Sequence, residues 1–240
     1  MFLSKLSPII CIFATISFFT ACNSASSKNT FNGNDASEYN ASTGILKDLR
    51  DNQSYKTVTI GTQTWMAQNL NYETSDSYCY YNTDENCKLY GRLYIWSAIM
   101  DSAGVFSTNS KNCGYATICT AQHPVRGICP KGWHVPSKSE FETLISAVGG
   151  DSIAGKVLKS STGWNENGNG TDAFGFSAQP GGERYYFGDF SNLGSVSSLW
   201  SATEENDTFA YDMYLNYDFN SAVIANLSEY SAQSLRCVKD

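Results

Sequence analysis

Six cysteines between positions 79 and 237 most constrain what this chain can fold into. They follow an N-terminal segment, MFLSKLSPIICIFATISFFTAC, that has the three parts of an export signal. Lys5 supplies a short basic region, an apolar run extends from Leu6 to Phe19, and small residues precede Cys22. Because an exported chain meets oxidising conditions, its cysteines are expected to pair, and the sequence predicts a disulfide-stabilised fold.

The junction at Cys22 predicts a lipid anchor. Phe-Thr-Ala-Cys resembles the lipobox of bacterial lipoprotein signals, although Phe19 stands where Leu is usual. We therefore predict a signal peptide over residues 1–21, palmitate-type lipid on Cys22, and a lipid-anchored protein of the cell envelope, at the outer membrane or the cell surface. The alternative is an ordinary secretory signal with a chance cysteine. The apolar run is shorter than the roughly 20 residues that cross a bilayer as a helix.

The remaining cysteines form an even set. Cys11 would leave with the signal and Cys22 would carry lipid, so six of the eight remain. Six cysteines allow fifteen pairings, among which spacing alone does not choose. Zinc is disfavoured, because no Cys-x-x-Cys pair occurs and only His123 and His134 could assist, so we predict no metal site. The pairing that we favour is Cys79–Cys87, Cys113–Cys119 and Cys129–Cys237.

Composition divides the mature chain into two parts. Residues 22–54 are polar and poor in aromatics, which predicts a flexible tether, and residues 55–240 are long enough for one domain with a sizeable core. The net charge is −7 and the basic residues are scattered, so nucleic acid is not an expected partner.

Periodicity predicts an α+β fold. A strand is expected within residues 56–69, and residues 89–100 have helix-compatible spacing. Ser137 and Glu140 match a capping box ahead of an apolar stripe, which predicts a helix that ends at Gly149–Gly150, and a short second helix should cover about 153–159. Period-two segments then predict an antiparallel, β-rich C-terminal half beside two to three helices. Those segments are FGFSAQ, RYYFGDF, SLWSAT, TFAYDMYLNY, SAVIANL and SLRCVK.

Six ordered blocks of sequence resemble one known family. The blocks are IGTQTWMAQNLNY (60–72), YCYYN…CKLYGRLYIWSA (78–98), ICPKGWHVPSKSEFETL (128–144), NGTDAFGFSAQPGG (169–182), LWSAT (199–203) and SLRCVKD (234–240). They are similar to the Fibrobacter succinogenes major paralogous domain over residues 55–240. This resemblance implies an exported protein, often a lipoprotein, related to the C-type-lectin-like superfamily, with a surface role in adhesion to plant polysaccharide. Residues 116–124 look like a variable insert between the more typical blocks.

Three features of the sequence are candidates for catalytic or metal sites: residues 165–172, His134 and Cys237. Residues 165–172, NENGNGTD, begin like an EF-hand loop, but Phe176 stands where the bidentate Glu is required, so a turn network is favoured and calcium in another geometry stays open. His134 is expected to bond to backbone near the start of the helix. Cys237 lacks the nearby second cysteine of formylglycine-generating enzymes, so we read it as structural. No catalytic residues and no cofactor are predicted.

Aromatic residues are the candidate ligand contacts. Exposed aromatic rings stack on sugar faces and anchor protein interfaces. The candidates are Tyr185, Tyr186, Trp200 and Tyr214, whereas Tyr211 and Tyr217 are expected in the core by alternation. We therefore expect a non-catalytic binding or adhesion module whose partner is a polysaccharide or an envelope protein. The alternatives are a structural envelope lipoprotein without a ligand, and a glycan-active or formylglycine-generating-like enzyme.

Overall fold

The computed structural model of the chain describes residues 35–240, so the predicted signal peptide and Cys22 lie outside the described residues. Within this range the strands, numbered along the chain, are β1 Ser37–Asn40, β2 Ile45–Asp48, β3 Ser54–Ile60, β4 Gln63–Met66, β5 Ser77–Tyr78, β6 Leu93–Ile95, β7 Trp133–His134, β8 Glu183–Arg184, β9 Phe190–Ser191, β10 Val196–Asn206, β11 Phe209–Asn216, β12 Val223–Ser228, β13 Ala232–Gln233 and β14 Val238–Lys239. The α-helices are α1 Asp84–Tyr90, α2 Trp96–Ile99, α3 Lys138–Ala147 and α4 Asp151–Leu158.

The strands form three antiparallel sheets. A six-stranded sheet has the order β1-β2-β3-β4-β14-β7, a five-stranded sheet has the order β5-β6-β13-β8-β9, and β10, β11 and β12 make a three-stranded meander. The elements of the α+β prediction are present, with the helices lying between the early strands and the β-rich C-terminal half.

The last residues of the chain belong to every sheet. Ala232 pairs with Ile95 and with Arg184 inside the five-stranded sheet. Ser234 bridges to Leu199 of the meander. Val238 then pairs with strands on both of its sides in the six-stranded sheet. The segment from β13 to β14 therefore ties the three sheets together.

Helix α3 forms as the capping box predicts. The Ser137 side chain accepts a hydrogen bond from the Glu140 amide, and the Glu140 carboxylate accepts one from the Ser137 amide at 2.8 Å. The apolar stripe that includes Phe141 and Leu144 is buried against β4 and the meander. Helix α4 begins two residues before its predicted start and ends at Leu158, so both helix predictions are confirmed.

The helix-compatible spacing in residues 89–100 gave a wrong prediction for the middle of that segment. Helix α1 ends at Tyr90 and is capped by Gly91, whose φ is +74°. A Cβ atom there would come within 2.8 Å of the Leu70 carbonyl oxygen, so the close approach of two backbones requires glycine. The chain continues as strand β6 before the short helix α2, because β6 pairs with β13 at the centre of the five-stranded sheet.

The predicted flexible tether, residues 22–54, is wrong from Ser37 onward. Strands β1 and β2 extend the six-stranded sheet beside β3. The segment is ordered by a fully buried ion pair in which Arg50 Nη2 lies 2.6 Å from Asp48 Oδ2. The Arg50 guanidinium also packs 4.0 Å from the centre of the Tyr72 ring. The polar composition of this segment predicted a tether because the side chains that anchor it, Arg50 and Asp48, are charged, and charged residues are usually exposed.

The FGFSAQ segment after Phe174 was also predicted wrongly, since it forms no strand. Its backbone groups make isolated hydrogen bonds outside any strand ladder. The Ala178 amide donates to Leu158 O, and the carbonyls of Phe176 and Ser177 accept from Arg236. Backbone groups committed to a side chain do not join a ladder. The other period-two segments do contain strands.

All three favoured disulfides are present. Cys79–Cys87 and Cys113–Cys119 close short loops, and Cys129–Cys237 joins positions 108 residues apart with a Cα–Cα distance of 5.9 Å. Cys129 and Cys237 are both fully buried. The third disulfide therefore closes the fold between its middle and its C-terminus.

A buried arginine lies next to the third disulfide. Arg236 has no exposed surface, and its Nε donates to Asn69 Oδ1 at 2.8 Å. Burial lowers the pKa of Arg236 to about 9. The Asn69 amide in turn donates to the Tyr90 carbonyl at 2.8 Å and to Ser234 Oγ at 3.2 Å. Asn69 thus orients the guanidinium and connects it to the end of α1 and to the segment between β13 and β14.

Replacing Asn69 by leucine should strongly destabilise the fold. The variant leaves Arg236 Nε and the Tyr90 carbonyl buried without partners, which costs about 2–3 kcal/mol of unfolding free energy. Urea denaturation with the disulfides intact measures this loss. The control Asn220→Ala changes an exposed side chain and should stay within about 0.5 kcal/mol of the unsubstituted chain. Equal stability of the two variants would contradict the role assigned to Asn69.

Candidate functional site

The β8–β9 hairpin carries the most exposed aromatic group of the β-rich half. Its tip is closed by the Tyr185 amide, which donates to Asp189 O at 2.9 Å, and by the Gly188 amide, which donates to Tyr185 O at 2.8 Å. Tyr186 and Phe187 are 65% and 61% exposed. Phe187 stacks on Tyr185 at 5.4 Å between ring centroids and meets Tyr186 edge-on at 5.0 Å. The three rings form a surface, which we call the hairpin platform.

Polar side chains adjoin the hairpin platform. Asn192 Nδ2 donates to Glu183 Oε1 at 2.6 Å and lies 3.3 Å from the Tyr185 hydroxyl. Gln233 Nε2 donates to the other oxygen of Glu183 at 3.2 Å. Tyr214 pairs with Ser198 of the meander, and the neighbouring Ser197 bridges to Gly182 at the start of the hairpin, so Tyr214 lies near the platform. Burial raises the pKa of Tyr214. Glu183 and Gln233 are themselves buried, so the partly exposed polar groups at the rim of the platform are the Asn192 amide and the Tyr185 hydroxyl.

A buried carboxylate lies beneath this rim. Asp212 is 3% exposed, and its Oδ2 accepts a hydrogen bond from Ser198 Oγ. Its Oδ1 has no hydrogen-bond partner. Burial raises the pKa of Asp212 to about 6, and the nearby charge of Glu183 acts in the same direction. The rim therefore rests on a polar floor whose charge changes near neutral pH.

The opposite face of the hairpin carries a second aromatic group. Phe190 lies 5.3 Å from Tyr80 and 5.8 Å from Tyr81, and the Arg184 guanidinium packs 4.1 Å from the centre of the Tyr78 ring. Because Arg184 and Phe190 are paired residues in the ladder, they share this face. The Cys79–Cys87 disulfide closes the adjoining loop.

Three of the four predicted aromatic contacts lie near one another, and the fourth does not. Tyr185, Tyr186 and Tyr214 lie on or beside the hairpin platform. Trp200 is wrong as a ligand contact, because it has no exposed surface and its Nε1 donates to Tyr94 O at 2.8 Å. Residues 196–202 of β10 are buried on both faces, so alternation in that strand does not distinguish an inward from an outward side.

Phe187 was not among the ligand contacts predicted from the sequence. Its signal was the run of three aromatic residues at 185–187, since successive side chains of a strand point to opposite faces and cannot all be buried on one side. The expected core positions Tyr211 and Tyr217 are only partly buried. Tyr217 packs against the cluster under α3, whereas Tyr211 lies beneath the Lys138 ammonium at 4.1 Å.

His134 binds side chains and not the backbone, which corrects the prediction. Its Nε2 lies 2.7 Å from Glu140 Oε1, and its Nδ1 lies 2.8 Å from Asp240 Oδ1. Burial opposes the charged imidazole, but the two carboxylates outweigh it and raise the pKa of His134 above 6.5. Sequence reasoning missed Asp240 because the pairing of β7 with β14 brings the C-terminus to His134. A groove of about 580 Å³, lined in part by His123 and Thr203, lies beside this cluster.

The asparagine–glycine loop at 165–172 is a turn network. Asn169 Oδ1 accepts from the Trp164 amide at 3.0 Å, and Asn165 Nδ2 donates to Ser195 Oγ at 3.1 Å. Asp172 accepts hydrogen bonds from Ser177. The side-chain oxygens of Asn169 and Asp172 are thus engaged by the protein itself. Among residues 35–240, no three His, Cys, Asp or Glu side chains are grouped to hold a metal, and no helix is long and apolar enough to cross a membrane.

Comparison with known proteins gives one match. The model of a family described as the Fibrobacter succinogenes major domain matches residues 58–239, which include the hairpin, His134 with Glu140, and all six paired cysteines. No curated protein matches, and no solved structure matches.

The His134 cluster should make stability depend on pH. A histidine whose pKa is raised on folding contributes stability that is complete below its unfolded pKa, near 6.5, and that is lost as the pH rises through the folded value. Unfolding free energy measured from pH 6 to 9 should therefore fall more steeply in the unsubstituted chain than in His134→Gln. His123→Gln, which alters an exposed histidine, should follow the unsubstituted chain. Parallel pH profiles for all three proteins would contradict the assignment.

Proposed function

The chain belongs to the Fibrobacter succinogenes major domain family, and on that premise we propose that it is a non-catalytic module that binds plant polysaccharide from the cell envelope. The observation that carries the proposal is the hairpin platform, which presents Tyr186 and Phe187 to solvent beside hydrogen-bonding side chains. As part of the same proposal, the fold is related to the C-type-lectin-like superfamily.

The chemistry of the hairpin platform suits a neutral sugar chain. Aromatic rings bury the apolar face of a pyranose, and amide, hydroxyl and carboxylate groups at their edge accept or donate to its hydroxyls. Asn192 and the Tyr185 hydroxyl provide such groups next to the stacked rings. The net charge of −7 disfavours polyanions as ligands. We therefore favour uncharged β-linked polymers such as cellulose and xylan.

The hydroxyl groups near the two acidic clusters disfavour a serine-based hydrolase. Ser137 Oγ donates to Glu140 Oε2 at 2.8 Å, and Ser198 Oγ donates to Asp212, so neither hydroxyl is paired with a histidine that could activate it. Both ring nitrogens of His134 are taken by carboxylates. These contacts favour structural roles for the serine and histidine side chains.

Removing the two exposed rings should weaken binding to polysaccharide. We expect the double variant Tyr186→Ala, Phe187→Ala to lose about tenfold or more in affinity for cellulose or xylan, because stacking of each aromatic ring contributes on the order of 1 kcal/mol. Affinity electrophoresis in xylan and depletion on cellulose, with the full chain in detergent, measure the effect. Phe219→Ala removes a ring that is 50% exposed on another loop and should bind normally.

Two outcomes would contradict this proposal. If the unsubstituted chain binds no polysaccharide, the chain is not a polysaccharide-binding module, and a structural envelope role takes its place. If the double variant and Phe219→Ala bind equally, the hairpin platform is not the binding surface. Release of soluble sugars during the assay would contradict the non-catalytic part of the proposal.

The lipid anchor at Cys22 forms part of the proposed function. We expect the chain expressed in a bacterium to partition into the detergent phase of Triton X-114, and Cys22→Ser to move to the aqueous phase, because the acyl chains are lost. Cys11→Ser, within the predicted signal, should partition like the unsubstituted chain. Detergent-phase partitioning of Cys22→Ser would contradict lipidation at this residue.

A further inference from the structure

A second pocket, away from the hairpin platform, has a buried carboxylate in its floor. The pocket holds about 280 Å³ and is lined by Glu229 together with Ser97, Ser102, Asn112, Tyr115 and Tyr230. Glu229 is 1% exposed, and neither of its carboxylate oxygens has a hydrogen-bond partner. A buried carboxylate without a partner is costly, so its position in a pocket indicates a ligand that supplies the missing donors.

The surroundings of Glu229 are acidic. Burial raises the pKa of Glu229 to about 8, and the charges of Glu204 and Asp207 act in the same direction. Neither Glu229 nor these two neighbours takes part in an ion pair among the described residues. Glu204 and Asp207 do not line the pocket, but their charges and the unpaired carboxyl group of Glu229 favour a ligand of positive charge.

The disulfide loop at 113–119 builds one wall of the pocket. The Ala116 amide donates to Asp207 O at 2.5 Å, and the Cys119 amide lies 2.9 Å from both oxygens of Glu204. These bonds and the Cys113–Cys119 disulfide hold the loop against the turn between β10 and β11. The insert at residues 116–124 therefore has a structural role. Its contacts hold Tyr115, the residue that precedes it, at the pocket.

The wall that this loop builds is aromatic. Tyr115 and Tyr230 stack with ring centroids 4.1 Å apart and are 40% and 51% exposed. Aromatic faces attract organic cations, whereas calcium takes 6–8 oxygen ligands and magnesium demands an octahedral set. Glu229 supplies one carboxylate, Ser97 and Ser102 supply neutral hydroxyls, and the volume is below that of sites for drug-sized ligands.

We propose that this pocket binds the primary ammonium group of a small alkyl amine, with Glu229 as its counter-ion and Tyr115 and Tyr230 against its alkyl part. Three N–H donors of the ammonium would satisfy the two carboxylate oxygens and one serine hydroxyl. When the neutral carboxyl of Glu229 takes the ligand, its O–H bond breaks and one proton passes to the buffer, while the ammonium keeps its protons.

Titration calorimetry with n-butylammonium chloride tests the proposal on the full chain in detergent. We expect saturable binding at pH 8.5 and, below pH 8, an affinity that rises about tenfold per pH unit because one proton is released. The ionisable side chains that line the pocket are Glu229, Tyr115 and Tyr230, and the carboxyl groups nearby are Glu204 and Asp207. Because one proton is released, enthalpies at pH 7 should differ between phosphate and MOPS, which is not a primary amine, by the heat of protonating the buffer.

Matched variants separate the site from general charge effects. Glu229→Gln should lose at least about tenfold in affinity and melt no lower than the unsubstituted chain, because it replaces an unpaired buried acid by a neutral group. Glu205→Gln removes an exposed carboxylate near the end of β10 and should bind normally. Tyr230→Leu should lose roughly two- to fivefold, because the aromatic face against the alkyl part of the ligand is lost.

Three results would overturn the proposal. One is the absence of n-butylammonium binding by the folded chain at pH 8.5. Another is equal binding by Glu229→Gln and Glu205→Gln. The third is displacement of the amine by millimolar calcium but not by tetramethylammonium, which would make the pocket a metal site. None of these results bears on the hairpin platform, so the two proposals can fail separately.

Discussion

The buried guanidinium of Arg236 is the interaction on which the rest of the structure depends. It lies in the core beside the Cys129–Cys237 disulfide, held by the Asn69 side chain and by two backbone carbonyls of the loop after Phe174. A charge in such a place is tolerated only when its donors are satisfied, so each partner must lie within hydrogen-bond reach of it. The arginine thereby fixes the end of β4, the irregular loop and the last strand relative to one another.

The same C-terminal segment also supports the hairpin platform. Gln233 lies on β13 and donates to Glu183, which in turn binds Asn192 beside the stacked rings. Three residues later the chain reaches Arg236. The polar rim proposed to meet a ligand and the cation that organises the core are therefore joined by a few residues of backbone. Strain in the core would be transmitted directly to the rim.

Local chemistry made part of the structure predictable. The capping box at Ser137 and Glu140 defines the start of α3 through hydrogen bonds within four residues, so the sequence alone was sufficient. The two short disulfides follow from proximity in the chain. Three members of the aromatic candidate set lie near one surface because they come from a hairpin tip and an adjoining strand.

The predictions failed where distant residues decide the outcome. The supposed tether is ordered in part by the Arg50 guanidinium, which packs on the distant Tyr72 ring. Trp200 is covered on its outer face by another sheet, and His134 meets an aspartate 106 residues away. Glu229 sits in a loop of ordinary composition, and only the packing of the 113–119 loop shows that it lines a pocket. Contacts of this range cannot be read from periodicity.

Strand β14 lies inside the six-stranded sheet, which affects how the chain can fold during its synthesis. Val238 pairs on one side with Trp65 and on the other with His134, so the six-stranded sheet has a gap until Val238 is in place. A ribosome makes this segment after all the other strands described. Until then a nascent chain lacks an interior strand, its buried cation and its long-range disulfide, and it remains threadable through a narrow channel.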